Sequence, residues 1–242
     1  MPDASVSRQT TLDHLPRNYF GAILADPPWR FRTWDNQRAI RKVKGNGTFT
    51  SANTHYCTMT IDELVALPVE QLAAKDCSLF LWATWPNLLD AIAAIEAWGF
   101  EYKTCGFLWA KAHAGQLELF REDIDGYMGL GYWTRANSEP CLLATRGRPK
   151  RLAADVRQVI IEPRREHSRK PDCVHERIER LVAGPYLELF ARRRRRGWYA
   201  WGNEVDKFGG DYDGIDDFGK SVDECYRVIR ERKASGGKGW PE

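Results

Sequence analysis

Phe20-Gly21-Ala22-Ile23-Leu24-Ala25-Asp26-Pro27-Pro28-Trp29 is an apolar run that stops abruptly on an acid, two prolines and an indole ring. A short run with no polar alternation suits a strand buried on both faces, as in a parallel sheet. Neither proline can sit in the middle of such a ladder, since proline has no N–H to donate; the strand therefore ends at Ala25 and Asp26 stands at its carboxyl end. In open α/β sheets ligands gather at that edge, where the backbone stops pairing with itself. A carboxylate, two rigidly aimed carbonyls and a flat ring there would grip a planar amine.

Working outward, the chain alternates strand and helix patterns. Residues 60–72 read as a short helix with Thr60 as N-cap and Glu63 in the capping-box position. Residues 78–83 read as a buried strand, and 86–98 as a helix on which Leu88, Leu89, Ile92 and Ile95 recur at helical spacing, with Gly99 as its stop. Extended character resumes over 101–111, and this βαβ order predicts a parallel sheet with helices on its faces. A long Gly- and polar-rich excursion fills 112–137, a length that is often functional in a compact domain. Further strands are expected at 139–145, 158–161, 186–190 and 198–201. Between them, His167-Ser168-Arg169-Lys170-Pro171 opens a helix carrying Val174, Ile178 and Leu181, with Pro171 as first helical residue. A helix start offers unpaired N–H groups and a positive dipole end, and Lys170 adds a charge beside it, so an anionic ligand group is favoured there. Trp82, Trp85, Trp98 and Trp109 read as core or sheet-edge packing. The chain divides into an irregular arm at 1–18, a main domain at 19–205, and an acidic, glycine-rich tether with a C-terminal helix at 206–242.

A chain of 242 residues can bury a core without metal or disulfide staples. Its six cysteines have no paired spacing and its N-terminus no secretory pattern, which points to a reducing, cytoplasmic setting. No apolar run approaches the roughly 20 residues that span a bilayer, so no membrane partner is expected. The histidines show no convincing metal-ligand spacing, and no metal is predicted. Net charge is only +3, but it is unevenly spread. Residues 30–53 interleave Arg30, Arg32, Arg38, Arg41, Lys42 and Lys44 with Trp34, and such a segment either holds a phosphate backbone and stacks a base or is merely solvated. Trp34, Lys44 and Tyr56 are the candidate substrate contacts.

Several short motifs then fall in one order between residues 20 and 205. They are Asp26-Pro27-Pro28-Trp29, Tyr56-Cys57-Thr58-Met59 with Asp62-Glu63, Leu79-Phe80-Leu81-Trp82, Lys170-Pro171-Asp172 with Ile178-Glu179-Arg180-Leu181, Glu188-Leu189-Phe190-Ala191-Arg192, and Trp201-Gly202-Asn203-Glu204. In this set the chain resembles the MT-A70 family of adenine-N6 methyltransferases, in a compact bacterial or phage-like form. The resemblance implies an α/β fold, a Rossmann-like sheet with helices on both faces, and S-adenosylmethionine as cofactor. The motif order, with the acidic loop ahead of the cofactor strand, resembles the permuted β-class amino-methyltransferases.

By the same resemblance Asp26, Pro27, Pro28 and Trp29 are the catalytic set. Asp26 and the Pro27 carbonyl would hold adenine's amine, and Trp29 or a neighbouring ring would hold the base. Lys170, assisted by Ser168, would face the cofactor's carboxylate, Asp26 would border the cofactor, and Arg192, Asn203 and Glu204 would contact its ribose and adenine. Glu204 departs from the eukaryotic pattern, which usually has an amide there. The Gly-x-Gly cofactor turn is absent as well, since the strand ending at Phe190 runs into arginines. The implied substrate is adenine in DNA, with RNA or a non-catalytic nucleic-acid-binding scaffold as alternatives and a homodimer as the expected assembly.

Overall fold

The computed structural model describes residues 12, 14–30, 58–112, 133–165, 169–202, 204–205 and 207–209. The apolar run that opens the sequence is β1 (Phe20–Ala25), and it lies inside the sheet with parallel neighbours on both sides. One neighbour is β2 (Ala73–Trp82), where Ala25 pairs with Leu81; the other is β6 (Tyr186–Leu189), where Ala25 pairs with Leu189. Beyond β6 runs β7 (Trp198–Trp201), also parallel. On the far side stand β4 (Ser138–Arg146), β3 (Glu101–Ala112) and β5 (Val159–Pro163), completing a seven-stranded sheet in the order β5-β3-β4-β2-β1-β6-β7.

Side chains alternate across this sheet with period two, as strand geometry requires. Ile23 and Ala25 face one core, with Leu79, Leu81, Leu187 and Leu189, and Phe20 joins them because the register shifts between Phe20 and Ala22. Ala22 and Leu24 face the other, with Phe80, Trp82 and Phe107. The first core is covered by α1 (Ile61–Val65) through Leu64 and by α2 (Leu88–Ala97) through Ala91, Ala94 and Ile95. The second is covered by α3 (Cys173–Leu181) through Val174 and Ile178. The fold is thus α/β with helices on both faces.

The sheet is mixed where βαβ alternation predicted parallel strands. β4 runs antiparallel to both β2 and β3, pairing Trp82 with Cys141 and Trp109 with Glu139. Its amino-terminal residues consequently lie along the same edge as the carboxyl ends of β1, β2 and β6. The helix expected over 60–72 is much shorter. Its capping box is present, with the Glu63 N–H donating to Thr60 Oγ1 and the Thr60 N–H to Glu63 Oε2, but α1 ends at Val65. Pro68 then forces a break before a single 3-10 turn at Val69–Gln71. α2 ends as its glycine predicts: Gly99 takes φ +77° and the Phe100 N–H returns to the Ile95 carbonyl. α3 begins at Cys173, two residues later than expected, with Asp172 as N-cap and Pro171 ahead of it.

Within the N-terminal arm, Leu12 and Leu15 are buried against the α1/α2 core. Most of the arm, residues 210–242 and the C-terminal helix expected there lie outside the described residues. No helix among the described residues is long and apolar enough to cross a membrane.

Candidate active site

At the end of β1 the Asp26 N–H still donates to the Leu189 carbonyl, and the two prolines then take the chain out of the ladder. The loop they form is locked. The Trp29 N–H closes a tight turn onto the Pro27 carbonyl at 2.8 Å, the Met59 N–H donates to Pro28 at 2.9 Å, and Trp29 Nε1 donates to the Trp82 carbonyl at 2.8 Å. Pro27 keeps its second carbonyl lone pair. Trp29 does not act as the flat ring facing a substrate: only 6% exposed, it packs into the core and braces the loop from behind.

This bracing leaves the Asp26 carboxylate held by Lys170, whose Nζ lies 2.7 and 2.8 Å from its two oxygens. The same ammonium is 3.5 Å from Glu139, which in turn pairs with Lys111. Asp26, Lys170, Glu139 and Lys111 therefore form a row of alternating charges, largely withdrawn from solvent. Burial pushes the Asp26 carboxyl above the usual carboxylate range despite the opposing pull of Lys170. Burial acts on Glu139 in the same sense, but Lys170 and Lys111 together outweigh it and hold that carboxyl below its ordinary value. Two acids on one lysine thus differ in their affinity for a proton, the arrangement expected where one has chemistry to do.

Asp26 and Lys170 line a cleft together with His175, Glu188, Arg192 and Phe208. Arg192 Nε lies 2.9 Å from Glu204. Phe208 closes over them, its N–H bonded to the Arg192 carbonyl and its ring under the guanidinium groups of Arg192 and Arg169 at 4.8 and 5.1 Å. A residue read as part of a tether thus belongs to the cleft wall. On its floor His175 Nε2 meets Glu188 at 2.8 Å; burial lowers the imidazole's proton affinity, but Glu188 more than compensates and raises it above the ordinary value. Asp172, at the α3 start, is desolvated but gripped by Arg165 and Arg169, which together keep its carboxyl low.

The turn after β6 shows how this cleft is built without a glycine-rich loop. Phe190 takes φ +62°, a conformation glycine would adopt freely and a phenylalanine holds only under constraint. Its ring packs edge-on against Trp201 at 5.4 Å, which supplies that constraint. Gly202 completes the arrangement, because a Cβ there would lie 2.2 Å from the Ala191 carbonyl oxygen. Gly202→Ala is therefore expected to cost about 1–3 kcal/mol of stability, seen as a lowered Tm, and to weaken ligand binding by spreading the ends of β6 and β7.

Of the residues singled out in the sequence, Asp26, Lys170 and Arg192 line this cleft, with Pro27 next to Asp26 in the chain and Glu204 paired with Arg192. Ser168, Asn203, Trp34, Lys44 and Tyr56 lie outside the described residues. Sequence reasoning missed Glu139, Lys111, His175 and Phe208, and gave Glu188 no role. The one usable signal was Glu188, an acid inside the otherwise apolar 186–190 strand. A ligand made of a nucleoside and an amino-acid tail needs a cation for its carboxylate, acceptors for sugar hydroxyls and an apolar face for its base. Lys170, the carboxylate of Glu188 and the Phe208 ring line the cleft and provide that set, with the Glu204 carboxylate beside them on Arg192.

The model of the MT-A70 family matches residues 20–204, from the first residue of β1 to the acid that pairs with Arg192. The chain belongs to the MT-A70 family. It is 34% identical over 200 residues to the type II methyltransferase M.MunI of a Mycoplasma species, covering 79% of this chain and 80% of that protein. It is 28% identical over 191 residues to the human N(6)-adenosine-methyltransferase catalytic subunit METTL3, covering 77% of this chain and 28% of that one. An MT-A70-like N(6)-adenosine-methyltransferase of Arabidopsis thaliana is 29% identical over 190 residues, 77% of this chain and 24% of the relative. The chain thus matches about a quarter of the human and plant proteins but most of the Mycoplasma one. This MT-A70 chain is a methyltransferase, and family membership implies S-adenosylmethionine as methyl donor.

Proposed function

We propose that the chain methylates the exocyclic N6 amine of adenine in DNA, with Lys170, Arg192 and Glu204 holding S-adenosylmethionine beside the Asp26 loop. The observation that carries this reading is the Asp26–Lys170 pair, which sets an amine acceptor and the proposed carboxylate-binding cation within 2.8 Å of each other in the cleft. The bound cofactor supplies an electrophilic methyl group on a sulfonium. Adenine's amine is a poor nucleophile because its lone pair is delocalised into the ring. Asp26 and the free lone pair of Pro27 would each accept one of its hydrogens, favouring a more pyramidal nitrogen with the lone pair aimed at the cleft. The raised proton affinity of Asp26 suits it to receive the proton that the amine sheds once methylated. Alignment and electrostatics therefore supply the rate, with no covalent enzyme intermediate.

Stacking in a duplex would keep the amine from Asp26, so the base must be flipped out or presented on a single strand. DNA is preferred over RNA because the chain aligns with most of the type II methyltransferase but only a fraction of the adenosine methyltransferases. The test is incubation with methyl-labelled S-adenosylmethionine and single-stranded DNA, duplex DNA or RNA, followed by nucleoside analysis. N6-methyldeoxyadenosine is the expected product. Label confined to RNA would move the substrate, and label on cytosine or on protein alone would overturn the reading.

A further inference from the structure

Among the described tryptophans, Trp29, Trp82, Trp98, Trp109, Trp198 and Trp201 are at most 6% exposed, whereas Trp133 is 90% exposed and Trp85, read from the sequence as core or sheet-edge packing, is 49% exposed. Trp85 is nevertheless held in place. It opens a 3-10 turn at Trp85–Asn87, directly beyond the carboxyl end of β2, and its Nε1 donates to Ser138 Oγ at 3.1 Å. Ser138 opens β4 one residue before Glu139, so the indole is anchored to the amino-terminal end of that strand, at the same edge of the sheet as the carboxyl ends of β1 and β2. The same turn also holds the acidic loop's exit: buried Asn87 donates from Nδ2 to the Arg30 carbonyl at 3.3 Å. The backbone of exposed Arg30, which opens the basic 30–53 segment, is thereby joined to the turn that carries the ring.

A half-open aromatic face joined to a segment rich in cations is the combination that binds single-stranded nucleic acid, the ring stacking on a base and the cations following the backbone. Trp82 sits one step past the Ala25–Leu81 pair, level with Asp26, and Trp85 is three residues farther on. That is at most roughly 10 Å along the chain. The ring is therefore set beyond the base whose amine Asp26 holds and within reach of the next nucleotide. We propose that Trp85 is a stacking platform for the nucleobase flanking the target adenine, a role that rests on the nucleic-acid methylation proposed above.

The test uses the full chain and fluorescein-labelled single-stranded DNA containing one adenine, either intact or with an abasic nucleotide 5′ or 3′ to it. Wild-type binding, read by anisotropy, is expected to weaken at least about fivefold with one of the two abasic strands. Trp85→Ala should bind intact DNA about as weakly as wild type binds that abasic strand and lose little more on it, while Trp85→Phe restores most of the affinity. In steady-state assays the loss should fall on KM for DNA and not on KM for the methyl donor. A Trp85→Ala affinity within twofold of wild type, or an equal abasic penalty in both proteins, overturns the platform. The two proposals fail separately. Wild-type protein that senses the abasic nucleotide but transfers no methyl refutes the methylation reading alone, whereas N6-methylation with no coupling between Trp85 and the flanking base refutes the platform alone.

Discussion

Asp26→Asn is expected to lower kcat by roughly a hundred- to a thousand-fold while changing cofactor affinity less than tenfold. The substitution keeps the size of the side chain and leaves the loop's three backbone anchors untouched, since none of them involves the carboxylate. It removes the negative charge, places a donor where the amine needs an acceptor, and leaves Lys170 paired with Glu139, 3.5 Å away. Single-turnover methyl transfer measures the first effect and calorimetric titration with S-adenosylmethionine the second. Stability should hold or rise slightly, because the native site holds this carboxylate against its burial. A kcat within tenfold of wild type would remove Asp26 from the chemistry.

That result would test the part of the site most legible in the sequence. β1 and its acidic end could be read because both signals are local: an apolar run sets the strand, and Pro27 and Pro28 set its end. The capping box of α1 and the Gly99 stop of α2 are local in the same way. Pro68 was a local signal too, but it fell inside a periodic pattern that suggested a helix continuing to residue 72.

Glu139 was not legible for a different reason. It was read as the first residue of one more strand in a parallel sheet, which would have put it at the amino-terminal edge, away from any ligand. The antiparallel direction of β4 reverses that placement and brings Glu139 level with Trp109 at the functional edge, beside Lys111 and Lys170. Strand direction depends on the whole connection between β3 and β4, and a polar excursion says little about it. Phe208 was hidden similarly. The glycine- and aspartate-rich composition after Glu204 suggests a tether, yet Phe208, folding back onto Arg192, is part of the cleft. Trp29 and Trp85 exchanged places for a simpler reason: composition reveals where tryptophans are, not which indole N–H finds a buried carbonyl.

Lys170→Met should have the largest effect on the whole protein, because one ammonium serves two buried acids. Removing it leaves Asp26 without its direct partner and Glu139 with Lys111 alone, and breaking a pair of this kind costs about 3 kcal/mol near neutral pH. Cofactor binding and turnover should fall together, unlike the kcat-specific loss in Asp26→Asn. The pH dependence separates lost charge compensation from lost packing. In wild type the depressed Glu139 contributes stability that is present above its unfolded value near 4.5 and lost as pH falls through its lower folded value. Asp26 acts in the opposite sense. Its raised folded value means its contribution is full below 3.8 and lost as pH rises through the folded value, so at neutral pH it weighs against the fold. Without Lys170 the Asp26 carboxyl rises further, and the penalty it imposes is relieved once it takes up a proton. The difference in Tm between wild type and Lys170→Met should therefore narrow steadily as pH falls from about 7 toward about 4. A gap that stays constant across that range would mean that Lys170 supports the fold through its methylene stem and not through its charge.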